Sequence, residues 1–214
     1  MKTVIVISGW AHGLDAIRPI GNALRDQFEV ELMTGTQVLK NRKIPDTDVI
    51  VTGSMGGLLA MELLPETCKK LVLISSTAKF CAAEDYPCGT HEKILKRMIV
   101  QLKRKPEAVL SEFFRNVHHP YEFHTFEGVN EPLEDLVAGL EYLQKSDVRE
   151  KVPTLGIPVQ LFHGSQDRII PPGAAQWLAD HLPNSDLTVY EDGHGLAAHH
   201  FQDMMTGIRE FLLP

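Results

Sequence analysis

Short apolar runs alternate with amphipathic helical segments along most of this chain, and this alternation restricts the fold more than any other feature. The runs have strand length and lie at 3–8, 28–33, 48–52, 71–75, 159–163 and 187–190, with helical spacing of apolar residues at 15–27, 58–64 and 207–213. Strands that alternate with helices are typical of a parallel sheet covered on both faces. We therefore predict an α/β fold with a mostly parallel sheet of about six strands.

The alternation stops between about residues 77 and 152, where we find three helical patterns and no convincing strand. The patterns cover 91–103, 106–117 and 132–145, and prolines separate them. We predict a helical lid, residues 77–151, inserted over the carboxyl edge of a sheet formed by residues 1–76 and 152–214. The segment 34–48 is too short for a full connecting helix with its loops, so we expect a trimmed fold.

Composition excludes several classes of protein. The 214 residues carry a formal net charge of −7, which argues against a nucleic-acid partner. No stretch approaches the roughly 20 apolar residues of a membrane span, so we expect no membrane partner. The cysteines Cys68, Cys81 and Cys88 have no regular spacing, which is typical of reduced thiols. We predict a cytoplasmic protein.

The first motif with chemical meaning is Thr52-Gly53-Ser54-Met55-Gly56-Gly57, between a predicted strand and a predicted helix. A serine on such a sharp turn exposes its hydroxyl, as in the nucleophile elbow. Thr52 stands where that motif usually has glycine. A glycine-rich turn with an incidental serine is the alternative, and a phosphate loop is disfavoured because its terminal Lys-Ser/Thr pair is missing.

Two further loops follow predicted strands. Asp167 comes after the strand at 159–163, and His194 lies between glycines after the strand at 187–190. Taken singly, the aspartate could cap a turn and the histidine could be an ordinary surface residue. His199 and His200 lie close to His194 in sequence, but their spacing does not favour a metal site, and we predict no metal.

The order Ser54, Asp167, His194 is the chain order of an α/β-hydrolase catalytic triad. A serine hydroxyl needs a base to accept its proton, which His194 would do while Asp167 fixes the tautomer of the imidazole. The developing oxyanion needs donors, and we predict the backbone N–H groups of Met55 and Trp10. Trp10 could equally be a core aromatic residue, since its donor role uses only the backbone. This chemistry requires no cofactor.

These features resemble the α/β-hydrolase superfamily, and more closely the pimeloyl-[acyl-carrier protein] methyl ester esterases. The resemblance is carried by Gly9-Trp10, the Ser54 elbow, the Asp167 loop and His194, together with the stretches 80–87 and 139–149 on either side of the lid. It implies a serine carboxylesterase that hydrolyses the methyl ester of a pimeloyl chain held on acyl carrier protein. It also implies that Phe113 binds substrate in the acyl channel together with Trp10.

The chain departs from that family at Gly53, where the family has a tryptophan, which would open the floor of the pocket. Ala108 and Glu112 stand near where two lid arginines of the family would bind the carrier protein. Six other lid cations could replace them and dock an acidic carrier: Lys93, Lys96, Arg97, Lys103, Arg104 and Lys105. The alternative is an ordinary solvated helix face.

Two other functions stay open on the sequence alone. One is a small-molecule carboxylesterase that needs no carrier protein, and the other is a hydrolase-fold binding protein without catalysis. A histidine group in the lid, His118, His119 and His124, has no role that the sequence predicts.

Overall fold

The computed structural model describes residues 1–123 and 128–213. The strands are β1 (Lys2–Ile7), β2 (Phe28–Met33), β3 (Val49–Gly53), β4 (Lys70–Ile74), β5 (Val159–Gly164) and β6 (Ser185–Tyr190). The helices are α1 (Leu14–Leu24), α2 (Gly35–Asn41), α3 (Met55–Glu62), α4 (Glu92–Leu102), α5 (Pro106–His118), α6 (Leu133–Lys145), α7 (Pro172–His181), α8 (Leu196–His199) and α9 (Phe201–Leu212), with a short 3-10 helix at Val152–Thr154.

The six strands form one sheet in the order β2-β1-β3-β4-β5-β6, and every neighbouring pair is parallel. The predicted α/β class with about six strands is therefore confirmed. The chain leaves β1 towards β2 and then returns across β1 to β3, so the direction of winding reverses between β1 and β3. In open parallel sheets such a reversal leaves a crevice at the carboxyl ends of the strands. Ser54 follows β3 at this crevice.

The two faces of the sheet carry separate apolar clusters, because successive side chains of a strand point to opposite faces. Val4 and Val6 pack with α1 and α9 on one face. Ile5 and Ile7 pack on the other face with α3, α7 and the helices that follow β4. The near-continuous apolar strands in the sequence reflect this burial on both sides.

Several helices differ from the expectations drawn from the sequence. The segment 34–48 does hold a helix, the seven-residue α2, whose Thr34 side chain accepts from the N–H of Gln37 while Gln37 caps the Thr34 N–H. This Thr-x-x-Gln capping box stabilises a short helix. It is visible in the sequence, but a prediction from apolar spacing does not use it. Helix α7 was not predicted, and α9 begins at Phe201 rather than at Gly207.

The segment between β4 and β5 contains helices α4, α5 and α6, as the three helical patterns predicted. Its two ends meet where the Val148 N–H donates to the Ala78 carbonyl at 2.9 Å. Helix α6 contacts α3, since the Tyr142 hydroxyl donates to Glu62 Oε2 at 2.8 Å. Buried leucines of α4 and α6 extend the cluster on the α3 face of the sheet. The division into lid 77–151 and core stays a prediction.

Among residues 1–123 and 128–213, no helix is both long and apolar enough to span a bilayer. The thiols of Cys68, Cys81 and Cys88 are free. The cytoplasmic location stays a prediction.

Candidate active site

Ser54 occupies a strained turn between β3 and α3. Its φ of 53° lies in the left-handed region that a residue with a side chain seldom adopts, and its N–H is held by the Ile74 carbonyl at 2.9 Å. The unusual Thr52 is accommodated because Gly56 has no side chain: a Cβ there would lie 2.2 Å from Thr52 Oγ1. The sequence therefore forms a sharp elbow without glycine at its first position.

The loop after β1 lies against this elbow. A Cβ on Gly9 would approach Ser54 Cβ to 3.0 Å, so the glycine permits close contact. In the described part of the chain, no protein group accepts a hydrogen bond from the Trp10 N–H. Met55 is the first residue of α3, where a helix leaves its N–H groups unsatisfied. Both backbone donors predicted for the oxyanion therefore flank Ser54 and are available to a ligand.

The Trp10 side chain connects this loop to the helical segment. It is 2% exposed, its Nε1–H donates to the Leu136 carbonyl at 2.8 Å, and its ring meets Phe113 edge-on with centroids 4.7 Å apart. Gly139 of α6 makes room for it, since a Cβ there would lie 2.5 Å from Trp10 Cδ1. Trp10 is thus also a core aromatic residue, and Gly139 is a site-shaping residue that sequence reasoning missed. A glycine within a helical pattern was the available signal.

The structure brings Asp167 and His194 together, although they are 27 residues apart in sequence. His194 Nδ1 lies 2.7 Å from Asp167 Oδ2, and both side chains are buried. The other carboxylate oxygen accepts from the N–H groups of Ile169 and Ile170 at 2.8 and 2.9 Å. Because a carboxylate only accepts, His194 must donate from Nδ1, which leaves its Nε2 free to act as a base.

The charge on Asp167 is stabilised despite its burial. Burial alone would raise the pKa of this carboxyl, but the neighbouring His194, the hydrogen bond from it, His163 and the Ile170 N–H together lower the pKa below its usual value. Burial lowers the pKa of His163, which the nearby Asp167 and the Ile170 carbonyl, 3.0 Å from its Nε2, only partly offset. The site therefore holds an ionised aspartate beside a histidine that it orients.

Three contacts hold the loop that carries His194. The Ser75 hydroxyl donates to the His194 carbonyl at 2.9 Å, and the Gly195 N–H donates to the Val117 carbonyl at 3.0 Å. A Cβ on Gly164 would lie 2.1 Å from the Gly193 carbonyl, so the glycine lets the loop pack on β5.

Ser54 and His194 line one cavity. The Ser54 hydroxyl itself has no hydrogen-bond partner among the described residues. Catalytic hydrogen bonds are often long without substrate and tighten when it binds.

His12, which sequence reasoning did not single out, also lines this cavity. Its Nδ1–H donates to the Trp10 carbonyl at 2.7 Å, and its ring packs against Phe113 and Phe114 at centroid distances of 5.8 and 5.2 Å. Burial lowers the pKa of His12 to about 4, which the hydrogen bond to Trp10 only partly offsets. A neutral His12 therefore supports the Trp10 loop at neutral pH.

This lowered pKa predicts a loss of stability on mild acidification. An unfolded histidine has a pKa near 6.5, so between about pH 6.5 and 4 the unfolded chain binds a proton that the folded His12 does not. The free energy of unfolding should fall across this window, by about 1–3 kcal/mol from His12. Urea titrations at several pH values should show a smaller fall for His12→Gln. The exposed-histidine control His181→Gln should match the wild type, and equal slopes for all three proteins would contradict the prediction.

Of the other histidines noted in the sequence, His118 also lines this cavity with Ser54, whereas His199 and His200 face Asp192. His199 Nδ1 and His200 Nε2 lie 3.2 and 3.4 Å from Asp192 Oδ2, and His199 contacts the rings of His118 and Tyr121. Residue His124 lies outside the described residues, and His119 precedes Pro120 at the end of α5. No group of three or more potential metal ligands occurs in the ranges 1–123 and 128–213.

A cavity of about 630 Å³ is lined by Ser54, by Trp10 of the loop after β1 and by residues of α4, α5 and α6. Trp10, Phe80, Phe113 and Leu140 are among the residues that line it, and the binding of substrate by Phe113 stays a prediction. A volume of this size suits a small-molecule ligand or an extended chain.

The six candidate docking cations are all exposed on α4 and the turn after it. Arg97, Arg104 and Lys105 line the outer part of the cavity, beside Ala108 and Glu112. Lys96 pairs with Glu92 at 2.8 Å and Lys103 with Glu141 at 3.7 Å, whereas Lys93 forms no ion pair within the described residues. The cations therefore split into three at the cavity and three on the surrounding surface.

Known proteins are similar to this chain in sequence and in fold. The model of the serine aminopeptidase S33 family (Hydrolase_4) matches residues 30–197. The pimeloyl-[acyl-carrier protein] methyl ester esterase of Nitrosomonas europaea is 31% identical over 185 residues, which cover 80% of this chain and 73% of that protein. This chain belongs to that esterase family of α/β-hydrolases. The pimeloyl-[acyl-carrier protein] methyl ester esterase of Stenotrophomonas maltophilia strain K279a is 26% identical to this hydrolase. The match covers 98% of the hydrolase and 92% of that relative.

Solved structures agree with this fold. An esterase from Exiguobacterium antarcticum superposes on the hydrolase with a TM-score of 0.82 at 17% identity, over 99% of the hydrolase and 92% of the esterase. A bromoperoxidase from Bacillus anthracis gives the same TM-score, identity and coverage. At such low identity these matches establish the α/β-hydrolase fold alone.

Proposed function

We propose that this hydrolase is a serine carboxylesterase that cleaves the methyl ester of a pimeloyl chain carried on acyl carrier protein, the reaction that yields a biotin precursor. The names of its relatives supply the substrate. The observation that carries the chemistry is the buried Asp167–His194 pair beside the strained Ser54. No cofactor or metal takes part in the proposed reaction.

The contacts support a two-step acyl transfer. Ser54 Oγ attacks the ester carbonyl carbon while His194 Nε2 accepts the hydroxyl proton, and the imidazolium that forms is stabilised by Asp167. The carbonyl oxygen becomes an anion that accepts from the Trp10 and Met55 N–H groups. Collapse breaks the bond to the methoxy group, which leaves as methanol with the proton from His194. Water then repeats the sequence on the acyl-enzyme and releases the carboxylate and Ser54.

The cavity of about 630 Å³ would hold the acyl chain, with its ester end at Ser54 and its other end at the opening. Trp10 and Phe113 supply an apolar wall near the reacting carbon. Arg97, Arg104 and Lys105 stand at the outer part of the same cavity, where the carrier would emerge. Since carrier proteins are acidic, this placement favours docking at that end.

The docking proposal predicts a selective effect of charge reversal. The triple substitution of Arg97, Arg104 and Lys105 by glutamate should raise KM for the carrier-bound methyl ester at least tenfold, because three attractive contacts become repulsive. The matched control reverses Lys2, Arg25 and Lys43, which are exposed at the amino end of the sheet and change the net charge equally. Hydrolysis of free dimethyl pimelate should stay within about twofold of wild type in both variants.

Steady-state kinetics of both substrates at low and high salt provide the measurement, since electrostatic docking weakens with ionic strength. Equal KM values for the two triple variants on the carrier-bound ester would contradict docking at α4 and favour a small-molecule carboxylesterase. Failure of the wild type to hydrolyse any ester would favour a binding protein instead.

A further inference from the structure

Ser54 stands between two cavities that are lined by different residues. The first is the cavity of about 630 Å³ beneath α4–α6. The second measures about 380 Å³ and lies between α1, α8 and the end of α5, on the other side of Ser54. Its wall is largely apolar and includes Ile17, Ile20, Phe114 and Val117.

Gly53 lies in the wall of the second cavity, and neither its backbone conformation nor a close neighbour requires a glycine at this position. Its φ is outside the left-handed region, and a Cβ there would meet only the Ile74 carbonyl oxygen, at an ordinary contact distance of 3.6 Å. The neighbouring Gly56 and Gly57 differ, since a Cβ on either would lie 2.2 Å from another atom. A side chain at position 53 would therefore fit, and its absence leaves space beside the serine.

His194 decides which part of an ester faces this space. His194 lines the second cavity, and it is not among the described residues that line the first. In the proposed reaction the histidine returns its proton to the alcohol oxygen as the ester bond breaks, so the alcohol must leave on the histidine side. The cationic opening belongs to the first cavity, which places the acyl chain and its carrier on the opposite side.

The second cavity is much larger than a methoxy group requires. A group the size of one water molecule takes roughly 30 Å³, whereas the cavity offers about 380 Å³. We propose that it is a leaving-group subsite for apolar primary alcohols of roughly four to eight carbons, and that Gly53 sets its size. This inference rests on the proposed function, because it takes Ser54 as the nucleophile. It makes methyl esters acceptable substrates without making them the preferred ones.

A series of pimelate esters tests the subsite. With the methyl, butyl, hexyl and octyl esters of pimelic acid, wild-type kcat/KM should rise at least about tenfold from methyl to hexyl, since each added methylene is buried. Linear alkanols are chemically similar leaving groups, so the trend reports binding. Gly53→Leu should lower the ratio of kcat/KM for the hexyl ester to that for the methyl ester at least about tenfold.

The control Gly156→Leu places the same side chain on an exposed loop where a Cβ would meet nothing within 4 Å, and it should keep the wild-type ratio. Gly53→Ala serves if the leucine variant does not fold, and it should give an intermediate ratio. Hexan-1-ol should inhibit ester hydrolysis by the wild type at least about tenfold more strongly than methanol does.

A flat or falling wild-type series, or a Gly53→Leu variant that loses all esters equally, would overturn the subsite and leave the esterase function in place. Absence of hydrolysis for every ester in the wild type would instead overturn the proposed function.

Discussion

Replacement of Ser54 by alanine should abolish ester hydrolysis while the protein stays folded. Only the hydroxyl group is removed, and the elbow is held by backbone contacts such as the hydrogen bond from the Ser54 N–H to the Ile74 carbonyl. Removing the nucleophile of a triad lowers kcat by about 10⁴-fold or more. We expect this loss with dimethyl pimelate as substrate, and we expect the melting temperature to change by no more than a few degrees.

A matched control is Ser185→Ala, at the start of β6 and on the opposite edge of the sheet, which should retain full activity. A fluorophosphonate probe should label the wild type and Ser185→Ala but not Ser54→Ala. Residual hydrolysis near the wild-type rate in Ser54→Ala would show that another group is the nucleophile. An unlabelled wild type would contradict catalysis altogether.

Replacement of Asp167 by asparagine should lower kcat by about 10⁴-fold with little change in KM. The amide oxygen can still accept from Ile169 and Ile170, so the amide nitrogen must face His194. That nitrogen donates, which forces His194 Nδ1 to accept and places the imidazole proton on Nε2. The histidine then presents a proton to Ser54 instead of accepting one.

The kcat of Asp167→Asn on dimethyl pimelate is the direct measurement, with Asp186→Asn at the far edge of the sheet as the charge-matched control. Asp192 gives a sharper comparison, because this second buried carboxylate is two residues from His194 but contacts His199 and His200. Loss of activity in Asp192→Asn, with activity retained in Asp167→Asn, would show that Asp192 and not Asp167 is the aspartate of the triad.

Much of the fold follows from local sequence patterns. The ends of every strand lie within two residues of a predicted apolar run. The central strands β1, β3, β4 and β5 are covered on both faces and so need consecutive apolar side chains. The three helices between β4 and β5 follow from apolar spacing and proline breaks in the same way. Helix α2 was missed because its signal lay in its cap rather than in its apolar spacing.

The candidate site was predicted to a similar extent. Ser54, Asp167 and His194 each follow a predicted strand, and parallel strands bring their carboxyl ends to one edge of the sheet. His12 and Gly139 were not predicted, because each acts on the Trp10 loop through a contact that no local pattern records.

The sequence by itself therefore determined which elements form and which chemical groups reach the carboxyl edge, since both depend on residues close together in the chain. Only the tertiary structure decided which of the lid cations stand at the cavity that Ser54 lines, and that Gly139 makes room for the Trp10 ring. Those relations join groups that are distant in sequence, and they depend on how side chains pack, which hydrophobic periodicity does not specify.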